Sequence, residues 1–275
     1  MKQLNISIKL ERSLKKLNFK SSDNVYVGIN LGNIFFNDLR TLFRGKKPNI
    51  EKIRSECSNI VFKTLINYFN KGNIIFPTFY YEYFKTRRYN KFTSPSSLGY
   101  FENFIIKQKK VIRSQHPIFS IAVYGKNKHS LVNPSGPFSF GVQSPFNNFL
   151  NQNVIFLNLG IKFRDTCTYL HHLEHLNGVN HRYYKAVNGK LFRGGEYVKE
   201  TSYSLVRFHS LTSKKAEYKI ENILKKNSKI KETNKYGFYV SKIRSSDVYN
   251  LGMKSLYKDP SFFMSKKTIV KVEKN

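Results

Sequence analysis

Cysteine is almost absent from this sequence. Two cysteines, Cys57 and Cys167, lie far apart in a chain of 275 residues, so neither a disulfide framework nor a cysteine-based zinc site has enough ligands. No stretch reaches the roughly 18 uncharged apolar residues that a membrane span needs. The N-terminal residues also lack the apolar core of a secretory signal. We therefore expect a soluble, cytoplasmic protein without a membrane span.

Acidic residues are scarce as well. The chain has 17 Asp and Glu against 48 Lys and Arg, and a formal net charge of +31 is typical of nucleic-acid binders. However, the chain also has 28 Asn and 3 Ala, a bias that AT-rich coding produces throughout a proteome. Because the basic residues are spread along the chain and no RNA- or DNA-binding signature occurs, we expect no nucleic-acid partner. A basic surface still favours a ligand that carries phosphates.

Apolar residues (40%) and aromatic residues (15%) are plentiful enough for a hydrophobic core. Short apolar runs bounded by turn residues predict interior strands at Asn24 to Ile29, Ile74 to Phe76, Phe119 to Tyr124 and Val154 to Leu159. Apolar residues at helical spacing predict helices over residues 1–20, 53–69 and 100–110. This alternation indicates an α/β fold with a largely internal sheet. Because neither a repeat nor a linker divides the chain, we predict a single domain over residues 1–275.

Turn residues are frequent in the C-terminal part of the chain. Asn188-Gly189 and Gly194-Gly195, each flanked by β-forming residues, predict hairpin turns. Residues 212–236 predict a polar, basic helix followed by a loop. We therefore expect residues 186–275 to be a β-rich and basic part of the same domain.

Four ionisable residues lie within five positions at His171, His172, Glu174 and His175. On a helix, His171, Glu174 and His175 share one face, whereas His172 points away. The pattern H-x-x-E-H also matches a zinc-hydrolase signature, in which two histidines hold the metal and the glutamate activates water. Such a site needs a third protein ligand from elsewhere. Zinc hydrolysis and a purely structural role for the histidines both stay open at this point.

Five polar motifs follow one another along the chain, at residues 77–79, 95–99, 113–120, 141–146 and 168–174. Together they resemble the aminoglycoside 3-N-acetyltransferase family. Its members carry in this order a Pro-Thr-Phe strand end, a Pro-Ser-x-x-Gly helix start, an Arg-Ser-x-His-Pro-x-x-Ser loop, a Gly-x-x-Ser-Pro-Phe turn and a Thr-x-Leu-His-x-x-Glu helix. The similarity extends loosely from residue 23 to about residue 185. It implies a single α/β domain with a central mixed sheet flanked by helices, unrelated to the GNAT acetyltransferases, with acetyl-CoA as acyl donor and no metal.

The resemblance also implies roles for individual residues. His171 is expected to be the general base that removes a proton from the attacking amine, with Glu174, or alternatively Asp165, as its carboxylate partner. His116 is expected to face the thioester as a further catalytic residue. Cys167 is better explained as a small buried side chain than as an acyl carrier.

The remaining site residues bind the two substrates. Cofactor contacts are expected from Asn30, Thr78, Arg113, Ser114 and Ser120, with Arg113 on the phosphates of CoA. Acceptor contacts are expected from Tyr80, Tyr81 and Phe146. Where the family usually has a His-Ser-Ser turn that contacts acetyl-CoA, this chain has Gly28 to Gly32, and Asn30 is the residue that can replace one hydroxyl.

The acceptor is predicted from the charge. Aminoglycosides are polycations, so a strongly basic chain argues against them. A branch of the family acetylates the amine of a nucleotide-linked amino-deoxy sugar for surface-polysaccharide synthesis, and residues 138–146 and 182–207 are more similar to that branch. We therefore expect an amino-sugar N-acetyltransferase of O-antigen or capsule synthesis. Aminoglycoside acetylation conferring antibiotic resistance is the alternative, and a zinc hydrolase or a nucleic-acid-binding protein are the alternatives from other classes. The oligomeric state stays open, with a homo-oligomer compatible.

Overall fold

Short apolar runs form the interior of a seven-stranded sheet in the computed structural model, which describes residues 2–35, 49–208 and 216–264. The strands of the chain are β1 Asn24–Ile29, β2 Asn73–Pro77, β3 Arg88–Tyr89, β4 Ile112–Arg113, β5 Ile121–Gly125, β6 Ile155–Leu159, β7 Arg182–Arg193, β8 Glu196–Arg207, β9 Lys231–Thr233 and β10 Val240–Arg244. The main sheet has the order β4-β5-β2-β1-β6-β10-β9. Its central strand β1 runs parallel to β2 and β6, and the outer pairs are antiparallel. The predicted mixed sheet is confirmed.

Helices cover both faces of this sheet. They are α1 Lys2–Lys16, α2 Ile50–Tyr68, α3 Tyr83–Thr86, α4 Tyr100–Ile105, α5 Lys128–Val132, α6 Asn148–Asn151, α7 Tyr169–Asn177, α8 Ala216–Lys226 and α9 Ser245–Lys258. Residues 31–35 are also helical, and short 3-10 turns span Pro145–Asn147 and Phe163–Asp165. The side chain of Asn49 caps α2 by accepting the N–H of Lys52.

The alternation of side chains along β1 separates two hydrophobic layers. Val25 and Val27 face a layer that contains the apolar stripes of α1 and α2. Tyr26 faces the opposite layer, which contains the buried residues of α7, α8 and α9. The chain therefore forms one α/β domain with a central mixed sheet flanked by helices, as predicted.

A second, three-stranded sheet of order β3-β7-β8 stands beside the main one. Gly194-Gly195 forms its hairpin turn as predicted, but the turn predicted at Asn188-Gly189 is wrong, because both residues lie within β7. Gly189 instead permits close packing, since a Cβ there would lie 2.3 Å from the hydroxyl of Tyr83.

The C-terminal part combines strands and helices. β7 and β8 form a long hairpin, β9 and β10 complete the main sheet, and α8 and α9 cover it, so the description as β-rich is incomplete. The helix predicted within residues 212–236 is α8, and its predicted first residues lie outside the described ranges. None of the helices described is long and apolar enough to cross a membrane.

The carboxyl ends of the parallel strands β1, β2 and β6 meet at one edge of the sheet. In parallel sheets, polar side chains that follow these ends converge on a common crevice. The segments that follow β1, β2 and β6 carry several of the predicted site residues, among them Asn30, Thr78 and His171.

Candidate active site

Helix α7 carries the H-x-x-E-H pattern at the carboxyl end of β6. Leu170 and Leu173 are buried in the core and fix which face of the helix points inward. The helix ends at Gly178, whose left-handed φ of +64° allows its N–H to bond to the carbonyls of Glu174 and His175. This packing turns Glu174 into the protein and leaves His171 at the edge of a cavity.

The carboxylate of Glu174 is the centre of a buried ion-pair network. Its Oε2 lies 2.6 Å from Nε of Arg182 and 2.8 Å from Nδ1 of His171, and its Oε1 lies 3.0 Å from Nε2 of His181. The side chain is 2% exposed. Burial alone would raise its pKa, but bonds from His171 and His181 and the charge of Arg182 hold the pKa of Glu174 well below its usual range. Glu174 is therefore ionised, and it orients the imidazole of His171.

His171 combines a fixed orientation with access to solvent, since its side chain is 30% exposed. Because an ionised carboxylate accepts hydrogen bonds, we assign the ring proton to Nδ1, which donates to Glu174 and leaves the lone pair on Nε2. Nη2 of Arg182 lies 2.9 Å from the same Nδ1, but a guanidinium only donates, so in this tautomer the contact is electrostatic and not a hydrogen bond. Burial and the charge of Arg182 lower the pKa of His171, so the ring is neutral near pH 7. This arrangement can accept a proton at Nε2.

The two neighbouring histidines pack inward and bind the 141–146 turn. His172 is buried, and its Nδ1 accepts the N–H of Gly141 at 3.2 Å. His175 contacts the hydroxyl of Tyr184 and lies directly against Gly141, where a Cβ would be 2.3 Å from Nε2 of His175. His171 and His175 thus have different partners. No cluster of three or more metal-ligating side chains occurs among residues 2–35, 49–208 and 216–264.

One cavity adjoins this helix, and another lies at the end of β1. The first, about 160 Å³, contains His171, Glu174 and Arg182 and is further lined by Arg164, Asp165, Thr166, Cys167, Thr168, Leu170 and Phe263. The second, about 500 Å³, lies at the end of β1 and is lined by Asn30, Arg54, Tyr100, Glu102 and apolar residues. Burial raises the pKa of Glu102 to about 7, which halves its negative charge near neutral pH.

Tyr26 is buried on the α7 side of the sheet, and burial raises the pKa of its hydroxyl. Its electrostatic neighbours include Cys167, which lines the first cavity, and Glu102, which lines the second.

The surroundings of Arg113 do not fit the phosphate contact that was predicted for it. The side chain is 6% exposed, and Nε donates to the hydroxyls of Thr78 and Ser120 at 3.1 and 3.0 Å. Nη1 donates to the carbonyl of Ser94 at 2.5 Å, and Nη2 donates to the carbonyl of Thr78. All three nitrogens are therefore occupied inside the protein, and Arg113 ties the end of β2 to the segments around it.

Other predicted cofactor residues belong to this same interior cluster. Thr78, Ser114 and Ser120 are buried, and Oγ of Ser114 accepts the N–H of Ile121 at 2.9 Å. Asn30 differs, because it lines the larger cavity; its Oδ1 caps the helical residues that follow by accepting the N–H of Asn33 at 3.1 Å. Among the residues predicted to bind the cofactor, only Asn30 lines one of these two cavities.

His116 is also interior. Its Nδ1 accepts the N–H groups of Ile118 and Phe119 at 3.3 and 3.1 Å, and burial lowers its pKa to about 4. These bonds lock the His-Pro turn. The predicted catalytic role of His116 does not fit this position, because the ring is 2% exposed.

The predicted acceptor contacts have mixed outcomes. Phe146 is fully buried against Phe140 and Phe149, and Tyr80 is buried in the layer under the second sheet. Neither side chain faces a cavity opening as predicted, because both are needed in the core. Tyr81 is 42% exposed and packs against Phe119, so it stays a candidate for contact with the acceptor.

Arg182 and His181 bind Glu174 and Thr166 lines the cavity, but none of the three was predicted as a site residue. Asp165 was predicted as an alternative carboxylate partner of His171. Asp165 lies 3.9 Å from Arg164 and is more than half exposed, whereas Glu174 holds His171. His181 lies in the turn that follows the helix, and Arg182 is the first residue of β7. A His-Arg pair at the start of a strand is only a weak sequence signal for a functional site. The contact of both residues with Glu174 depends on how the chain packs back against α7.

Among solved structures, AAC-VIa bound to sisomicin aligns with a TM-score of 0.73 at 20% identity, covering 92% of this chain and 97% of that one. AAC-IIIb with CoASH aligns at 0.73 and 13% identity, covering 92% and 96%. YokD from Bacillus subtilis aligns at 0.72 and 18% identity, covering 97% and 95%. These likenesses show the fold.

A search of curated protein sequences returns no match. The family model for aminoglycoside 3-N-acetyltransferase, in contrast, matches residues 50–252, which is most of the chain. Acetyl-CoA is the acyl donor of this family, as the motifs predicted. The chain belongs to the aminoglycoside 3-N-acetyltransferase family and is an acetyl-CoA-dependent N-acetyltransferase.

Proposed function

We propose that this enzyme transfers the acetyl group of acetyl-CoA to an amine of an amino sugar, with His171 as general base. The observation that carries the proposal is the pair His171–Glu174, in which a neutral imidazole is held by an ionised carboxylate at a cavity wall. The amine nitrogen attacks the thioester carbonyl and its proton passes to Nε2 of His171. The new C–N bond forms as the C–S bond breaks, and CoA leaves as the thiolate, which takes up a proton.

The larger cavity at the end of β1 is the proposed site of acetyl-CoA. Its apolar wall, with Ile29, Ile53 and Leu98, suits the pantetheine arm, and the exposed Arg54 suits a phosphate. The raised pKa of Glu102 reduces its repulsion of a polyanion. Arg54 therefore replaces Arg113 as the proposed phosphate contact.

An aminoglycoside-type amino sugar is the acceptor that the comparisons support best. The matching family model is that of aminoglycoside 3-N-acetyltransferase, and one structural neighbour is AAC-VIa bound to sisomicin. Antibiotic resistance is the biological role that would follow.

A nucleotide-linked amino-deoxy sugar is the second candidate, favoured by charge. The electrostatic neighbours of His171 include Arg182 and Arg207, and Arg164 lines the same cavity. Asp165 and Glu174 are the acids of that cavity, and both are ion-paired. An acceptor that carries a diphosphate would be attracted to this basic surface, whereas a polycation would be repelled.

Release of free thiol from acetyl-CoA tests the proposal. The panel contains gentamicin and sisomicin beside uridine and thymidine diphosphate amino-deoxy sugars, each with the unmodified chain and with His171→Gln. Turnover that His171→Gln abolishes supports the proposed function, and the accepted compound identifies the substrate class. Absence of turnover across the panel, or full activity of His171→Gln, would overturn it.

A further inference from the structure

A row of three residues crosses the sheet next to His171. Gly28 on β1 lies opposite Asn158 on β6, and Asn158 lies opposite Ser241 on β10. Nδ2 of Asn158 donates to Oγ of Ser241 at 3.0 Å. Because paired residues on neighbouring strands share a face, the row points to the α7 side of the sheet.

Thr166 occupies the space that Gly28 leaves open. A Cβ at position 28 would lie 2.7 Å from the methyl group of Thr166 and 2.9 Å from Oδ1 of Asn158, closer than such atoms approach. A side chain at position 28 would therefore displace Thr166. Glycine is required at this position of β1 because the loop between β6 and α7 packs closely against the strand.

The hydroxyl proton of Thr166 is committed to the interior. Oγ1 lies 2.7 Å from Oδ1 of Asn158 and 3.1 Å from the carbonyl oxygen of Phe163, and both of these atoms only accept hydrogen bonds. The amide of Asn158 is itself oriented by Ser241, which fixes Oδ1 toward Thr166. The hydroxyl thus has lone pairs, and no proton, to offer to a ligand.

Thr166 lines the same cavity as His171. At about 160 Å³, that cavity holds about five groups of the size of water. A ligand group that reaches His171 is therefore also close to Thr166. A lone-pair donor at this place matches an N–H group and repels an oxyanion.

We propose that Thr166 binds the acceptor amine by accepting one of its N–H hydrogens while His171 removes another. The inference rests on the proposed function and names a substrate-binding residue that the motifs did not include. With one N–H held by Thr166 and one directed at His171, the nitrogen lone pair is left free for the thioester carbonyl. Asn158 and Ser241 are positioning residues, because they act through Thr166.

The experiment compares Thr166→Val with Thr166→Ser in steady-state kinetics on the acceptor found to be active. Valine keeps the shape and removes the lone pairs, so we expect KM for the acceptor to rise, or kcat/KM to fall, about tenfold. Serine keeps the hydroxyl and should stay within about twofold of the unmodified chain. KM for acetyl-CoA should not change in either variant, and binding of CoA measured by calorimetry should be equal in both.

Two controls separate a contact from a structural effect. Thr64→Val removes a buried hydroxyl of α2 that lies outside both cavities and donates to the carbonyl of Ile60, and it should leave acceptor KM within about twofold. Gly28→Ala should reproduce the loss seen in Thr166→Val, since the added Cβ pushes Thr166 aside, and melting temperatures identify any variant that fails to fold. If Thr166→Val folds and shows unchanged acceptor kinetics while the unmodified chain is active, the inference on Thr166 is wrong and the proposed function stands. If the unmodified chain acetylates no amine, both fall.

Discussion

Nδ1 of His171 lies 2.8 Å from Oε2 of Glu174, three residues further along the same helix. Such i,i+3 neighbours share a face but do not have to bond. Here they do because Arg182 and His181, arriving from the start of β7, hold the carboxylate from the other side. The helix supplies His171 and Glu174, β7 supplies Arg182, and His181 comes from the turn just before β7.

Replacement of Glu174 by Gln should lower kcat about a hundredfold or more while KM for acetyl-CoA changes little. The amide removes the negative charge that stabilises the imidazolium and no longer enforces one tautomer. It also leaves Arg182 buried beside a neutral group, so a lower melting temperature is expected. Thiol-release assays measure kcat and KM, and thermal unfolding measures the melting temperature. Equal activity of Glu174→Gln and the unmodified chain would contradict the assignment of Glu174 as the partner of the base.

The pH dependence of kcat/KM should report His171. Burial and Arg182 place its pKa below the usual value of about 6.5, and the base acts only when it is deprotonated. Activity should therefore fall on the acid side at a pH below about 6.5, with a second change set by the acceptor amine. An acid limb centred above pH 7 would show that another group is the base.

Substitutions of Arg113 and Arg54 should have different effects: the first should lower stability, and the second should weaken the binding of acetyl-CoA. Arg113→Ala removes a buried cation and leaves the carbonyls of Thr78 and Ser94 without these donors, so the free energy of unfolding should fall by about 3 kcal/mol or more. Arg54→Ala changes an exposed side chain of the larger cavity and should raise KM for acetyl-CoA with no change in melting temperature. Chemical denaturation and kinetics on both variants test this; a stable Arg113→Ala with raised KM would restore the original assignment of Arg113 to the phosphates.

Stability should decrease between pH 7 and pH 5 because of two buried histidines. Burial lowers the pKa of His172 to about 3 and that of His116 to about 4. In the unfolded chain both have a value of about 6.5, so the unfolded state binds more protons in this range and stability is lost as the pH falls. At pH 5 the loss is about 2 kcal/mol for each histidine. Glu102 offsets about 2 kcal/mol of this sum, because burial raises its pKa to about 7 and the folded state therefore takes up its proton in the same range.

The matched variant for this effect is His172→Asn, whose side-chain oxygen can accept the N–H of Gly141 without titrating. Its melting temperature should depend less on pH over this range, even if it starts lower at pH 7. Glu174 does not contribute to this window: its lowered pKa gives stability that is lost only as the pH falls below about 4.3, the unfolded value. An unchanged slope in His172→Asn would contradict the prediction.

The sequence predicted four of the seven strands of the main sheet, β1, β2, β5 and β6, because each is a short apolar run, whereas β4, β9 and β10 carry charged residues and were not predicted. β1 and β6 are buried between two helical layers, so their composition alone marks them. Asn188-Gly189 has the composition of a turn, yet it lies inside β7, where Tyr83 requires a residue without a side chain. That requirement comes from a residue more than a hundred positions away, and local pattern cannot contain it.

The site shows the same division. His171 and Glu174 were found because they lie on one helix at a spacing that puts them on one face. Arg113 was misassigned because a guanidinium in a polar loop looks the same in sequence whether it faces a ligand or the carbonyls of Thr78 and Ser94. Burial is the deciding property, and it is set by the packing of β2 against β5.

The sequence by itself determined the α/β class and the family and predicted the pair His171–Glu174 on α7, because these depend on periodicity and on motifs that are local. The tertiary structure alone decided which polar residues reach a cavity. It brought Arg182 to Glu174, it placed Thr166 over Gly28, and it enclosed Arg113 and His116 in the interior. Whether a polar side chain binds a ligand or holds the fold depends on what surrounds it, and those surroundings come from distant parts of the chain.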